Sequence, residues 1–219
     1  MMLPMFPWIV LFFPAVFYCH GQKETTWEKV KESDGIEVFQ KKIGEDVAFR
    51  GVGILTGESN KFIEVLHDPS TWSSWVENLK SGEMIEKKSD SHFIFRQVIG
   101  TPFPMKDREA VFQSIVSRKN RNTAMVDMKS VNHPSVKRSD QWIRVEIIHS
   151  RYIIEDIVKG KLRVTFQNLT ESSGAIPNFL SNWASMSYPV TLLQGIERVL
   201  QKNGKNEPPF QNLKEGPKN

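Results

Sequence analysis

One stretch constrains the fold more than any other: residues 174–200, GAIPNFLSNWASMSYPVTLLQGIERVL. Phe179, Trp183, Met186, Val190, Leu193, Ile196 and Leu200 recur at steps of three and four, which puts them on one stripe of a helix. Gly174 breaks the preceding strand, Pro177 suits a first helical turn, and Gly204 follows the last apolar residue. Pro189 inside the run removes one backbone hydrogen bond, so a kink near Ser185 is expected. Burying seven such side chains contributes roughly 10–20 kcal/mol gross, at about 1.5–3 each. Ordering the chain offsets much of that. The stripe needs a large apolar partner surface, and the rest of the chain must supply it.

The preceding sequence reads as strands. Thr25 or Thr26 can cap a short helix starting at Trp27, and Ser33-Asp34-Gly35 ends it in a turn. Residues 36–42 and 47–55 then read as a hairpin about Gly44-Glu45-Asp46. Gly51 and Gly53 share one face, where a strand bends or something passes close. Residues 58–66 form an amphipathic helix broken by Asp68-Pro69-Ser70, and Trp72 and Trp75 follow on a short helix with their rings on one side. From Met84 onward come strands over 93–99, 108–118, 123–129, 143–154 and about 162–166. The last alternates cleanly, so one face is wet and one covered. No helix long enough for parallel crossovers separates these strands. The fold class is therefore α+β: a curved antiparallel sheet with the C-terminal helix as its cover.

Two connections interrupt the meander. Gly100–Lys106 (GTPFPMK) is proline-rich yet carries Phe103 and Met105, and residues 132–141 (NHPSVKRSDQ) end beside Trp142. Loops carrying large apolar side chains next to a curved sheet are candidates for an entrance.

The ends are separate matters. Residues 2–19 carry no charge and are followed by His20-Gly21-Gln22-Lys23, which reads as an export signal cleaved near Gly21. A membrane anchor of residues 2–19 and a lipoprotein Cys19 are the alternatives. The expected organisation is a signal or anchor over 1–21, one domain over 22–203 and a disordered tail over 204–219. The mild net charge of +4, from 29 basic and 25 acidic residues, is scattered and reads as a solvated surface, not a nucleic-acid groove. A weak attraction to anionic lipid surfaces is compatible with it. With Cys19 the only cysteine and no histidine at a metal-ligand spacing, neither a disulfide framework nor a metal site is expected. No nucleophile elbow, phosphate-cradling glycine loop or other cofactor motif is present.

Several short strings in order carry a resemblance. Trp27-Glu28 leads to residues 34–39 (DGIEVF); residues 49–53 (FRGVG) follow, then Trp72 with Trp75. Pro102-Phe103-Pro104 precedes Asp107-Arg108-Glu109, and residues 174–180 (GAIPNFL) lead into the final helix. Over about 27–200 the chain resembles the START (StAR-related lipid transfer) domains, whose helix-grip fold wraps a curved sheet around a C-terminal helix. The resemblance implies a hydrophobic cavity holding one lipid of unspecified class, a gate formed by the proline loop and the last helix, and a monomer that touches membranes transiently. The gate would carry Phe103, Met105, Trp183 and Met186, and the cavity Trp75, Phe95, Phe112, Met128, Trp142, Phe179 and Val190. Sterol-transporting members have an arginine where this chain has Ser114, so a sterol is not supported. Arg108 with Glu109 reads as a structural pair near the sheet edge, with a headgroup clamp as the alternative. His149 and Arg151 fall in phase with Ile147 and Ile153, so they read either as a hydrogen-bonded pair or as headgroup anchors in the pocket. A non-catalytic lipid-binding or lipid-transfer protein is the expected function. The alternative is an aromatase/cyclase or thioesterase-like enzyme on the same fold, with His149 and Glu146 as its best acid or base.

Overall fold

The computed structural model describes residues 26–44, 46–170 and 178–203, with side chains in the last segment from 186 to 202. Strands β1 (Glu28–Ser33), β2 (Ile36–Ile43) and β3 (Asp46–Thr56) come first, then helices α1 (Ser59–His67) and α2 (Pro69–Trp72). Strands β4 (Leu79–Ser89), β5 (His92–Ile99), β6 (Arg108–Asn120) and β7 (Thr123–Ser130) follow. The short β8 (Ile143–Arg144), then β9 (Ile147–Val158) and β10 (Lys161–Thr170), lead to the long α3 (Asn178–Asn203). The sheet runs β1-β2-β3-β10-β9-β7-β6-β5-β4, antiparallel throughout that path, with β8 pairing in parallel beside the start of β6.

The first element departs from expectation. Trp27 does not open a helix; residues 28–33 form an edge strand paired with β2. Glu28, Lys29 and Val30 are exposed, so no apolar stripe exists there to hold a helix down. The ladder to β2 satisfies the backbone instead. Lys29 bridges Glu32 and Glu37 at 2.6 Å each, and the Arg50 guanidinium lies 4.1 Å from the centre of the Trp27 ring.

The predicted stripe on α3 holds wherever its side chains are described: Val190, Leu193, Ile196 and Leu200 are buried, with Leu192 and Val199 beside them. They share one core with Ile36 and Val38 of β2, Leu55 of β3, Leu162, Val164 and Phe166 of β10, and the inward side chains of α1. The approach is closest at Gly51, where an added Cβ would stand 2.7 Å from Pro189 Cβ. A bare backbone there lets the helix lie directly on the sheet, which answers the sequence-level question posed by that glycine. Gly195 does the same for Trp75, whose Cβ would be 2.7 Å away.

The other face of the sheet is not fully wet. Ile94, Val98 and Val111 alternate with core residues yet are buried, because residues 131–142 fold across that outer face. This connection is tied to β6 by Val131 N–H to Val111 C=O, and to β4 by His133 Nε2 with Glu86 Oε2 at 3.1 Å. Between β6 and the connection lies Glu109, 2% exposed in its side chain, which accepts from Arg96 Nε at 2.6 Å and Arg144 Nε at 2.8 Å. Burial pushes the Glu109 carboxyl up. Hydrogen bonds and charge from the two guanidinium groups outweigh this and leave it below its ordinary value.

Candidate functional site

The inner face of β5 and β6 carries Phe93, Phe95, Ala110, Phe112 and Ser114, at alternate positions as a strand requires. Helix α2 begins at Pro69 with Asp68 capping it through Ser70 N–H (3.0 Å), and this fixes Trp72 over those rings. Trp72 is 5.2 Å from Phe95 and 6.4 Å from Phe112, centroid to centroid, and Trp75 stands edge-on to it at 6.2 Å. Trp75, Phe95 and Phe112, three of the expected pocket residues, are thus brought together, but packed against one another. They form a firm aromatic end wall.

A polar pair sits inside this wall. His67, at the end of α1, stacks on Phe93 at 4.5 Å and on Phe95 at 5.7 Å. Its Nδ1 is 2.8 Å from the Ile63 carbonyl, which can only accept, so Nδ1 carries the proton. Nε2 then accepts from the hydroxyl of the fully buried Ser114 at 2.8 Å. Burial disfavours the imidazolium and lowers the His67 pKa from 6.5 to about 4, with the Ile63 bond opposing only part of the shift. Nothing in the sequence spacing of residues 67 and 114 signals this pair; it exists because α1 is laid over β6.

Toward the opposite end of α3 a second aromatic group forms. Tyr152 stacks on Phe166 at 4.6 Å, Phe166 lies 5.9 Å from Phe49, and Tyr188 meets Phe49 edge-on at 5.9 Å. Burial raises both phenols, Tyr188 to about 12 with a lesser push from the Glu77 charge. Met128 on β7 and Met186 on α3 are half-buried, and Val190 is buried. Phe179 and Trp183 lie outside the described side chains.

The loop at 100–107 is fixed at its base and open at its tip. Thr101 N–H donates to Asp107 Oδ1 at 3.1 Å, Lys80 Nζ reaches Asp107 Oδ2 at 2.7 Å, and Thr101 Oγ1 donates to the Lys106 carbonyl at 2.9 Å. Phe103 at the tip is 97% exposed, while Met105 is half-buried. Lys106 Nζ donates to the Asp140 carbonyl at 2.8 Å, joining this loop to the connection over the outer face.

Three of the expected positions fall elsewhere. Trp142 is on the outer face, its ring 4.8 Å from the Arg96 guanidinium, because the connection that carries it crosses the back of the sheet. His149 and Arg151 also face outward, and Arg151 Nε pairs with Asp127 Oδ1 at 2.6 Å. A bulge explains this: Thr170 pairs with Ile147 and Leu169 with His149, leaving Ile148 as an extra residue. The inward side chains of β9 are therefore Ser150, Tyr152 and Ile154, although Ile147 packs on the core too. Arg108 and Glu109 are not a pair: neighbours on a strand point to opposite faces, so Glu109 goes outward to its two arginines and Arg108 inward. That separation was available from the strand period alone.

An open recess of about 660 Å³ lies at the strand ends, bounded by Asn120, Arg121, Asn122, Thr123, Glu155, Asp156, Ile157 and Arg163. Charges of both signs with one apolar side chain cannot replace water around an acyl chain. A smaller recess of about 290 Å³, bounded by Ser130, Asn132, Arg138 and Arg144 among others, is similarly polar.

The START domain family model matches residues 20–206, most of the chain. The chain belongs to the START family. Mouse phosphatidylcholine transfer protein is 24% identical over 181 residues, covering 80% of this chain and 84% of that protein. Among solved structures, human STARD10 superposes with a TM-score of 0.73 at 16% identity, over 82% of this chain and 74% of that one. A STAR-related lipid transfer protein fragment from Xanthomonas axonopodis gives 0.70 at 19% identity, over 80% and 98%. The START helix-grip architecture is therefore the one built here by the sheet and α3.

Proposed function

We propose that this START protein is a non-catalytic lipid carrier. It takes one lipid between the inner face of the sheet and α3, and exchanges it at a membrane through the loop at 100–107. The observation that carries the reading is Phe103. A ring 97% exposed, on a loop whose base is held by Asp107 and Thr101, is costly in water and useful in a bilayer. Exposed Lys106 beside it adds attraction to anionic headgroups. A 16-carbon chain leaving a membrane needs roughly 13 kcal/mol of replacement burial at about 0.8 per methylene. A gripped apolar face supplies such burial without any reaction chemistry. Half-buried Met128 and Met186 suit irregular acyl packing, and Met186 with the loop forms the gate. The carrier works as a monomer, and residues 1–21 direct it to export or hold it at a membrane.

The test is lipid transfer between two vesicle populations, with native mass spectrometry of the recovered protein. One lipid per chain and transfer above the spontaneous rate are expected. Phe103→Ser should slow transfer about tenfold without changing the thermal midpoint, since the side chain touches little. Met186→Glu should block uptake. A purified protein that stays empty after incubation and moves no lipid would refute the reading.

A further inference from the structure

Arg108 is the one buried arginine among the described residues. Arg96 and Arg144 hold Glu109, and Arg151 holds Asp127. Arg108 is 8% exposed, and its Nε is buried with no hydrogen-bond partner among the described residues. Its Nη1 donates to the Lys106 carbonyl, a neutral acceptor. The adjacent acid, Asp107, is engaged by Lys80 and by Thr101 N–H. Glu109, the next acid along, faces the other side of the sheet. A guanidinium stays charged at any physiological pH, and enclosing one with a neutral carbonyl as acceptor and its Nε unpaired is costly.

Its position gives the charge a use. Arg108 is the first residue of β6, directly after the exposed loop, and it pairs with Ile99 on the face that carries Ala110 and Phe112. Gln97, paired with Ala110, is the next residue on that face of β5 and is half-buried. Such diagonal neighbours stand about 7–8 Å apart, close enough for two long side chains to reach one group. Both present N–H donors, and the guanidinium fork matches a pair of anionic oxygens.

We propose that Arg108, with Gln97 beside it, receives the anionic oxygens of the bound lipid, a phosphoryl or carboxylate group, just inside the loop at 100–107. The proposal rests on the carrier reading and narrows it to lipids that bear such a group. The acyl chains then run away from the loop, along the apolar inner face beneath α3. A neutral lipid of the same chain length leaves the Arg108 charge unmatched and is selected against.

The full chain is incubated with vesicles holding equal amounts of dioleoylphosphatidylcholine, oleic acid and dioleoylglycerol, and native mass spectrometry counts what each protein retains. The wild type is expected to favour the phosphate- or carboxylate-bearing lipid over dioleoylglycerol by about tenfold or more, the range of a charge-assisted hydrogen bond. Arg108→Met should abolish that preference while still taking up dioleoylglycerol, and Arg108→Lys should restore part of it. Thermal unfolding confirms that both variants are folded. Should Arg108→Met fail to fold, Arg108→Lys and Gln97→Leu carry the comparison, each expected to weaken the preference. An unchanged lipid ratio in the folded variants overturns this inference and leaves the carrier reading standing. No lipid on the wild type overturns both. Stabilisation of the wild type by inorganic phosphate alone, lost in Arg108→Met and with no lipid preference, makes this a free-anion site and overturns the headgroup role.

Discussion

His67 should make the protein acid-sensitive at a pH where its carboxylates are still charged. In the fold the imidazole is neutral, sealed between Ile63 and Ser114 against two phenylalanine rings, with a pKa near 4; unfolded, it returns to 6.5. The folded value is the lower one, so the unfolded chain binds the proton more tightly. Stability from this group is intact above about pH 6.5 and drains away as pH falls toward 4. The free energy lost is RT ln[(1 + 10^(6.5−pH))/(1 + 10^(4−pH))], which is about 0.2 kcal/mol at pH 7, about 2 at pH 5 and about 3 at pH 4. Urea unfolding at pH 7 and pH 5 reads it directly. With a slope of about 2 kcal/mol per molar, the wild-type midpoint should drop about 0.9 M more than that of His67→Gln, which cannot titrate. Gln lowers stability at both pH values through lost stacking, but that offset cancels in the comparison. Parallel pH profiles for the two proteins would refute the burial argument.

Further outcomes follow from the packing. Gly51→Val should force α3 off the sheet at Pro189 and lower stability by about 1–3 kcal/mol, read as a drop in the thermal midpoint. Glu109→Gln leaves Arg144 enclosed without a carboxylate and Arg96 with only the exposed Glu83, so a loss of about 3 kcal/mol is expected in denaturant titration, with earlier proteolysis of residues 131–142. Trp72→Ala opens the aromatic end wall and should cost about 3–5 kcal/mol, while Phe103→Ser costs none; comparing their thermal midpoints separates core from tip.

Much of the fold was legible because periodicity survives burial. The apolar stripe at steps of three and four marked α3, and the alternation of Leu162, Val164 and Phe166 marked the covered face of β10. What was not legible was decided by partners that the local residue pattern does not name. Residues 28–33 carry no stripe to declare their state, and pairing with β2 decides it. Trp142 looked like a pocket residue from its flanks, yet the outer face claims it through Arg96. For Arg151 the phase itself misled, since one surplus residue at 148 separates it from Ile147. Arg108 and Glu109 could have been assigned correctly by applying the strand rule to adjacent residues, which a search for charge pairs overlooks.

The surplus residue in β9 also bears on how this molecule tolerates change. Upstream of Ile148 the odd-numbered Ile147 faces the interior; downstream the even-numbered Ser150, Tyr152 and Ile154 do. Losing Ile148 itself would leave a regular strand in which Ile147, Ser150, Tyr152 and Ile154 keep their faces, because Ile147 and His149 already sit opposite the consecutive residues Thr170 and Leu169. A residue lost farther along β9 has no such slack: every side chain between the loss and position 148 would have to turn over. The strand therefore carries one spare codon at a defined place, and a shortening there is absorbed where one nearby is not.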